Sequence, residues 1–159
     1  MFQKKAGVLW LVLTFFLACV VTTPVFAEEP AMCSLCDKEI TDSNIKFTIM
    51  YADGKVMSYG CPGCGLTVIK QGKGNVKSAK TTDFISRQML DAKSAYYVLG
   101  SDVGFCCDPA WLSFAKKDQA EKFTKGFGGK VMSYEEALAW LADLKKQHHG
   151  SDHSGHTGH

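Results

Sequence analysis

Between residues 45 and 59 the pattern of apolar and polar positions describes one hairpin. Ile45–Tyr51 (IKFTIMY) is rich in β-branched and aromatic residues and reads as a strand. Ala52-Asp53-Gly54 is a turn, Asp-Gly being a strong hairpin signal, and Lys55–Tyr59 is the returning strand. Leu66–Gln71 is short and apolar and predicts one or two helical turns beginning near Cys64, and Gly72–Asn75 is a loop. Val76–Phe84 is a third strand, and Asp91–Ala95 leads into a fourth, Tyr96–Leu99, which Gly100 ends.

The second half repeats the plan loosely. Trp111–Ala115 is apolar, and Asp118 starts a helix with Ala120 and Phe123 one turn apart, stopped by Gly126–Gly129. Lys130–Met132 is a strand. Ser133 followed three residues later by Glu136 is a capping box, opening a helix with Leu138, Leu141 and Leu144 on one face and Ala137 and Trp140 beside them. That stripe reads as core. Gly54–Tyr59 (GKVMSY) recurs unchanged at Gly129–Tyr134. Five strands and three helices imply an α+β domain of two loosely repeated β-hairpin/helix halves.

The two ends fall outside this plan. Lys4 and Lys5 precede an uncharged apolar run, Ala6–Val21, and Val25-Phe26-Ala27 offers a cleavage point before Glu28. This is the pattern of a secretory signal peptide over residues 1–27, so the protein is expected in the periplasm or otherwise outside the cytoplasm. Membrane attachment follows only if that segment is retained or Cys19 is lipidated. The domain is expected over 28–147, and 148–159 is a low-complexity tail holding all five histidines. Its composition predicts disorder, and its functional reading is secondary metal capture by His148, His149, His153, His156 and His159.

Charge removes one class of partner. Without Lys4 and Lys5 the 18 basic side chains fall to 16, equal to the 16 acidic ones, so no basic excess is available for nucleic acid. The cysteines add chemistry. Of seven, six lie beyond the leader: Cys33, Cys36, Cys61, Cys64, Cys106 and Cys107. In an exported chain an even count suggests disulfides, but two Cys-x-x-Cys pairs and one adjacent pair would close only small loops, which remove little unfolded-state entropy.

The same spacings suit a metal. Two Cys-x-x-Cys knuckles 24 residues apart offer four thiolates, which Zn²⁺ accepts as a closed tetrahedral site. Cu(I) competes for them because it prefers soft thiolate and thioether sulfur. Met32, in a polar leader beside Cys33, is the methionine best suited to add a ligand. Neighbouring side chains point opposite ways in extended backbone, so Cys106 and Cys107 can share a site only if the chain turns there, as Pro109 would allow. Cys61-Pro62-Gly63-Cys64 after a strand and before a helix also fits a thiol-disulfide oxidoreductase. No histidine lies outside the tail, which excludes a Cys-His nucleophile within the packed domain.

An ordered series of short matches resembles the NosL family of nitrous oxide reductase accessory proteins. It comprises Met32-Cys33-x-x-Cys36, the Ile45–Tyr59 hairpin with a cysteine just after it, Thr82-Asp83-Phe84, Asp91-Ala92, Ala95-Tyr96-Tyr97-Val98, Gly100-Ser101-Asp102-Val103, Ser113-Phe114-Ala115 and Gly128-Gly129-Lys130-Val131. The resemblance implies an exported, non-enzymatic Cu(I)-binding protein with a two-part α+β fold. Its partners would be a copper donor protein or a copper-accepting apo-enzyme such as nitrous oxide reductase. Met32, Cys33 and Cys36 match the family's first motif, and Cys61 its later cysteine. Asp37-Lys38 replaces the usual Gly-Met, Cys64 is an addition, and Cys106-Cys107 stands where a Met is usual. The expected ligand set is therefore Cys33, Cys36, Cys61, Cys64 and Met32, with Cys106, Cys107 and the tail histidines secondary. Cu(I) is the expected ion and Zn²⁺, in a structural thiolate module, the alternative.

Overall fold

The computed structural model describes residues 31–149. The leader, Cys19, His153, His156 and His159 lie outside the described residues. Two antiparallel sheets carry three helices. In the first sheet β1 (Phe47–Tyr51), β2 (Val56–Tyr59), β3 (Val76–Thr82) and β4 (Met89–Asp91) lie in the order β2-β1-β3-β4. In the second, β5 (Tyr96–Leu99), β6 (Trp111–Phe114) and β7 (Lys130–Met132) lie in the order β6-β5-β7. The helices are α1 (Pro62–Lys70), α2 (Lys117–Phe127) and α3 (Tyr134–His149). The architecture is the expected α+β class, with seven strands rather than five.

Local rules account for most of the elements. In β1, Phe47 and Ile49 are buried while Met50 is exposed, as period-2 patterning requires. The Asp53 carboxylate accepts from the Lys55 amide at 2.9 Å and closes the hairpin turn, which pairs Ile49 with Met57. Ser133 and Glu136 form the expected capping box, with Glu136 accepting from the Ser133 amide at 2.7 Å and Ser133 Oγ from the Glu136 amide at 3.3 Å.

The departures have physical causes. β3 stops at Thr82, because the buried Asp83 carboxylate accepts from the Ser86 amide, the Ser86 hydroxyl and the Ala115 amide, at 2.6–2.8 Å, and pulls the chain out of the ladder. Trp111–Phe114 is a strand buried at all four positions, so no alternation marks it. β4 has only three residues, too few to show a period. α1 begins at Pro62, four residues before the apolar run; proline's fixed φ favours the first helical position. The backbone of α3 continues through His149, two residues into the stretch whose composition predicts disorder.

The GKVMSY repeat has a structural counterpart. Both copies begin with a left-handed glycine, Gly54 (φ 87°) and Gly129 (φ 95°), and both form an edge strand that leads into a helix. Only the first copy carries an extra turn, Gly60-Cys61, between strand and helix.

The sheets meet through a buried polar contact as well as apolar packing. Thr81 Oγ1 and Ser113 Oγ are 2.7 Å apart, and Ser113 Oγ also donates to the Thr82 carbonyl. Fully satisfied buried hydroxyls of this kind fix one relative placement of the sheets. α1 packs against β1 and β2 on one side and β6 and α3 on the other. Its first turn approaches closely enough that a Cβ on Gly65 would fall inside the Phe47 ring, and one on Gly63 inside the Trp111 indole.

Gly65→Ala should therefore destabilise the fold by about 1–3 kcal/mol, despite Ala's better helix propensity. Gly126→Ala, in α2 with open space around the new methyl, should stabilise by about 0.5–1 kcal/mol. Urea denaturation of both variants checks the opposite signs.

Candidate metal centre

Three segments bring the thiols together. The first is the loop 33–38. Cys33 N donates to the Lys38 carbonyl at 2.8 Å, Asp37 N donates to the Cys33 carbonyl at 3.0 Å, and Asp37 takes a left-handed φ of 54°. Ser34 N donates to the Ser58 carbonyl of β2, which docks the loop on the first sheet. The second is the start of α1, where Cys61 is the N-cap residue in extended backbone and Cys64 follows within the first turn. The third is a continuous bend over residues 105–109, tied to the first loop by Lys38 Nζ, which donates to the Cys106 carbonyl at 3.0 Å.

The sulfur atoms of Cys36, Cys64, Cys106 and Cys107 all lie within 4.8 Å of one another. Cys64 is 3.9 Å from Cys36 and 3.4 Å from Cys107, and Cys107 is 3.5 Å from Cys106. Four thiolates around a tetrahedral ion with metal–sulfur bonds of about 2.3 Å sit about 3.8 Å apart, so the donor set fits a soft metal ion with little movement. Cys61 adjoins the group, 3.6 Å from Cys107.

The grouping differs from the one the spacing suggests. It takes the second cysteine of each knuckle together with the adjacent Cys106 and Cys107, expected only as secondary ligands. The bend at 105–109 lets Cys106 and Cys107 face the same side, where extended backbone would part them. Gly60 helps: a Cβ there would stand 3.1 Å from Cys106 Sγ and 3.6 Å from Cys33 Cβ. Cys33 is fully buried against this turn, and Met32 is about half exposed, held by a bridge to Glu39. The signal that could have promoted the adjacent pair was Pro109 with Gly104, two turn formers bracketing it.

The thiols differ in proton affinity. Cys61 is held down to about 6, first by the hydrogen bond from the Cys64 thiol, against burial that pushes it up; the Cys64 amide and the Cys107 and Cys106 thiols add to the lowering. Cys64, the donor, is pushed far up by that same bond and by burial. Burial also pushes Cys106 and Cys107 up, reinforced by the Cys61 charge. At Cys33 burial raises the value, but the amides of Gly60, Leu35 and Cys36 outweigh it and leave the thiol below its ordinary range. The cluster thus favours the thiolate at Cys61 and the protonated thiol at Cys64, Cys106 and Cys107.

An open cleft of about 420 Å³ runs beside this centre, lined by Lys38, Asp102, Phe105, Cys106, Cys107 and Asp108 among others. Cys36, Cys106 and Cys107 are half-buried, whereas Cys33, Cys61 and Cys64 are buried. Fold and site together define an α+β protein with a thiol cluster that opens to the surface on one side.

Comparison with known proteins places that class. The NosL family model matches residues 24–139, and the chain belongs to the NosL family. It is 30% identical over 130 residues, 80% of this chain and 68% of the relative, to the HTH-type transcriptional repressor CutR of Bacillus subtilis strain 168. Among the described residues no two helices follow one another without an intervening strand. A match of 31% over 80 residues, 45% of this chain and 42% of the relative, is to the copper-binding lipoprotein NosL of Stutzerimonas stutzeri. The crystal structure of the copper chaperone NosL from Shewanella denitrificans superposes with a TM-score of 0.63 at 21% identity, covering 69% of this chain and 90% of that one. That likeness bears out the α+β fold.

Because the folded Cys61 value lies below the ordinary thiol value of 9.0, its charge stabilises the metal-free fold in full above about pH 9. That contribution is lost as pH falls through about 6. Thiolate absorbance of the reduced metal-free protein should rise by one equivalent through about pH 6. Cys61→Ser should remove that step.

Proposed function

We propose that this protein is an exported, non-enzymatic Cu(I) carrier, which takes copper from a donor protein and passes it to a copper-accepting apo-enzyme, nitrous oxide reductase being the acceptor the family suggests. The observation that carries the reading is the four-sulfur group with two of its members on an open cleft. A structural ion is normally enclosed by its ligands, whereas a carrier must let a partner's ligand reach the ion. Cys106 and Cys107 are the thiols a partner would meet first, and the buried Cys64 holds the ion from beneath.

Copper is the cargo in this reading, and the chain's work is to bind and release it. Soft thiolates favour Cu(I) over the harder divalent ions. Cys36, Cys64, Cys106 and Cys107 are the ligands proposed, Cys61 and Cys33 support them, and Met32, exposed beside Cys33, offers a thioether. The thiols pushed up by burial must lose their protons to bind, so loading releases protons and affinity falls as pH falls. A partner that lowers the local pH or supplies competing sulfur would draw copper out. His148 and His149, on the backbone of α3, and the histidines beyond are proposed as secondary capture sites.

Zn²⁺ is the second reading, favoured by the near-tetrahedral sulfur spacing. In that case the metal would serve only to hold the loops together, and its removal would unfold them.

Anaerobic competition with a chromophoric Cu(I) chelator tests the proposal. Uptake of Cu(I) by the reduced chain is expected, weakening from pH 8 to pH 6. Cys64→Ser should lower the affinity more than about 100-fold, since even residues one step removed from a metal ligand cost about 10–100-fold. Zinc alone, with no Cu(I) uptake under reductant, would overturn the copper reading.

A further inference from the structure

One ion does not use the sulfur that the fold collects. Five thiols lie in contact, Cys61 adjoining the group of Cys36, Cys64, Cys106 and Cys107, yet a tetrahedral ion takes four, and Cu(I) commonly takes fewer. Cys107 is the hub: its sulfur lies 3.6 Å from Cys61, 3.4 Å from Cys64 and 3.5 Å from Cys106. Cys64 is the second centre, in contact with both Cys36 and Cys107. Cys36 and Cys61 approach this pair as terminal sulfurs.

Charge points the same way. Four thiolates around a single Cu(I) leave most of their negative charge in a half-buried pocket, and burying charge without a partner is costly. Lys38, the cationic side chain lining the cleft, is exposed and committed to the Cys106 carbonyl. A second Cu(I) cancels another unit of charge and adds no side chain to the pocket. Thiolate sulfur has lone pairs enough to bind two soft ions at once, so four sulfurs, two of them shared, can give each of two ions three contacts.

We propose that the centre holds two Cu(I) ions rather than one, with the sulfurs of Cys64 and Cys107 shared between them, Cys36 terminal to one and Cys61 terminal to the other. The proposal rests on the copper reading above and adds its stoichiometry and the roles of the thiols. Cys106, half-buried on the cleft, is the exchangeable fifth sulfur. Each thiol that becomes a ligand releases its proton to solvent, and no electron changes hands. The protein would then carry copper as a pair, suited to an acceptor that needs more than one ion.

The experiment is an anaerobic titration of the full reduced chain with Cu(I) under excess chelator, read by native mass spectrometry and copper X-ray absorption. Two Cu(I) per chain are expected, in an all-sulfur shell with copper–copper backscattering. Cys107→Ser should bind one Cu(I) and lose the copper–copper signal. Cys61→Ser, with folding checked by circular dichroism, should do the same by removing a terminal sulfur. One Cu(I) per chain in a sulfur shell, without copper–copper backscattering, overturns the paired centre and leaves the carrier reading standing. So does a second copper in a nitrogen shell, which would belong to histidine. No Cu(I) uptake at all overturns both.

Discussion

The close approach of the first turn of α1 to two aromatic rings is the contact on which the rest depends. Gly65 meets the face of Phe47 in the first sheet, and Gly63 meets Trp111 in the second. No side chain larger than hydrogen fits at either place, so the helix start is held at one depth between the sheets. Cys64 lies between those glycines and Cys61 two residues before the first, so both inherit their position. Trp111 in turn lies two residues after Pro109, so the ring that seats the helix also anchors the end of the bend carrying Cys106 and Cys107. Its packing on Trp140 of α3, with ring centroids 5.6 Å apart, extends the same support to the last helix. The centre is therefore built directly on the core.

That placement has electrostatic consequences. A crowded group of thiols resists multiple ionisation, because each added charge raises the proton affinity of its neighbours. The balance favours charge at Cys61, which occupies the N-cap of α1 where the helix directs its free amides, and protons at Cys64, Cys106 and Cys107. A soft cation reverses this balance by replacing those protons. The fold thus presents a site prepared for metal, whose emptying is opposed by repulsion unless protons return. The polar contacts of Thr81, Ser113 and Asp83 lie between the two sheets that frame it and leave little freedom for the sheets to slide.

The repeated hexapeptide forms a comparable frame in both halves, with the thiols beside the first copy alone. Gly54–Tyr59 and Gly129–Tyr134 make the same object, a left-handed glycine and an edge strand feeding a helix. In the second copy Ser133 caps the helix directly through Glu136. The first copy inserts Gly60-Cys61 before Pro62, so a thiol occupies the cap position. The function-bearing difference between the halves is this turn, and the strands themselves are scaffold.

Much of the framework was legible along the chain because its signals are local. Asp-Gly at the hairpin, the Ser133–Glu136 spacing, the alternation in Phe47–Tyr51 and the apolar stripe of α3 each depend on residues a few positions apart. The two Cys-x-x-Cys pairs announced soft-metal or redox chemistry for the same reason. Strand β6 was hidden because all four of its residues are buried and show no period. The composition of the centre was hidden for a deeper reason. Which sulfurs meet depends on how the 33–38 loop, the α1 start and the 105–109 bend are stacked by packing between sheets, and that is a contact among residues up to 71 positions apart in the chain. Sequence alone determined that this protein carries clustered thiols on an α+β frame. Only the tertiary structure decided that Cys106 and Cys107 join Cys36 and Cys64, because only the packed core turns adjacent side chains toward one point.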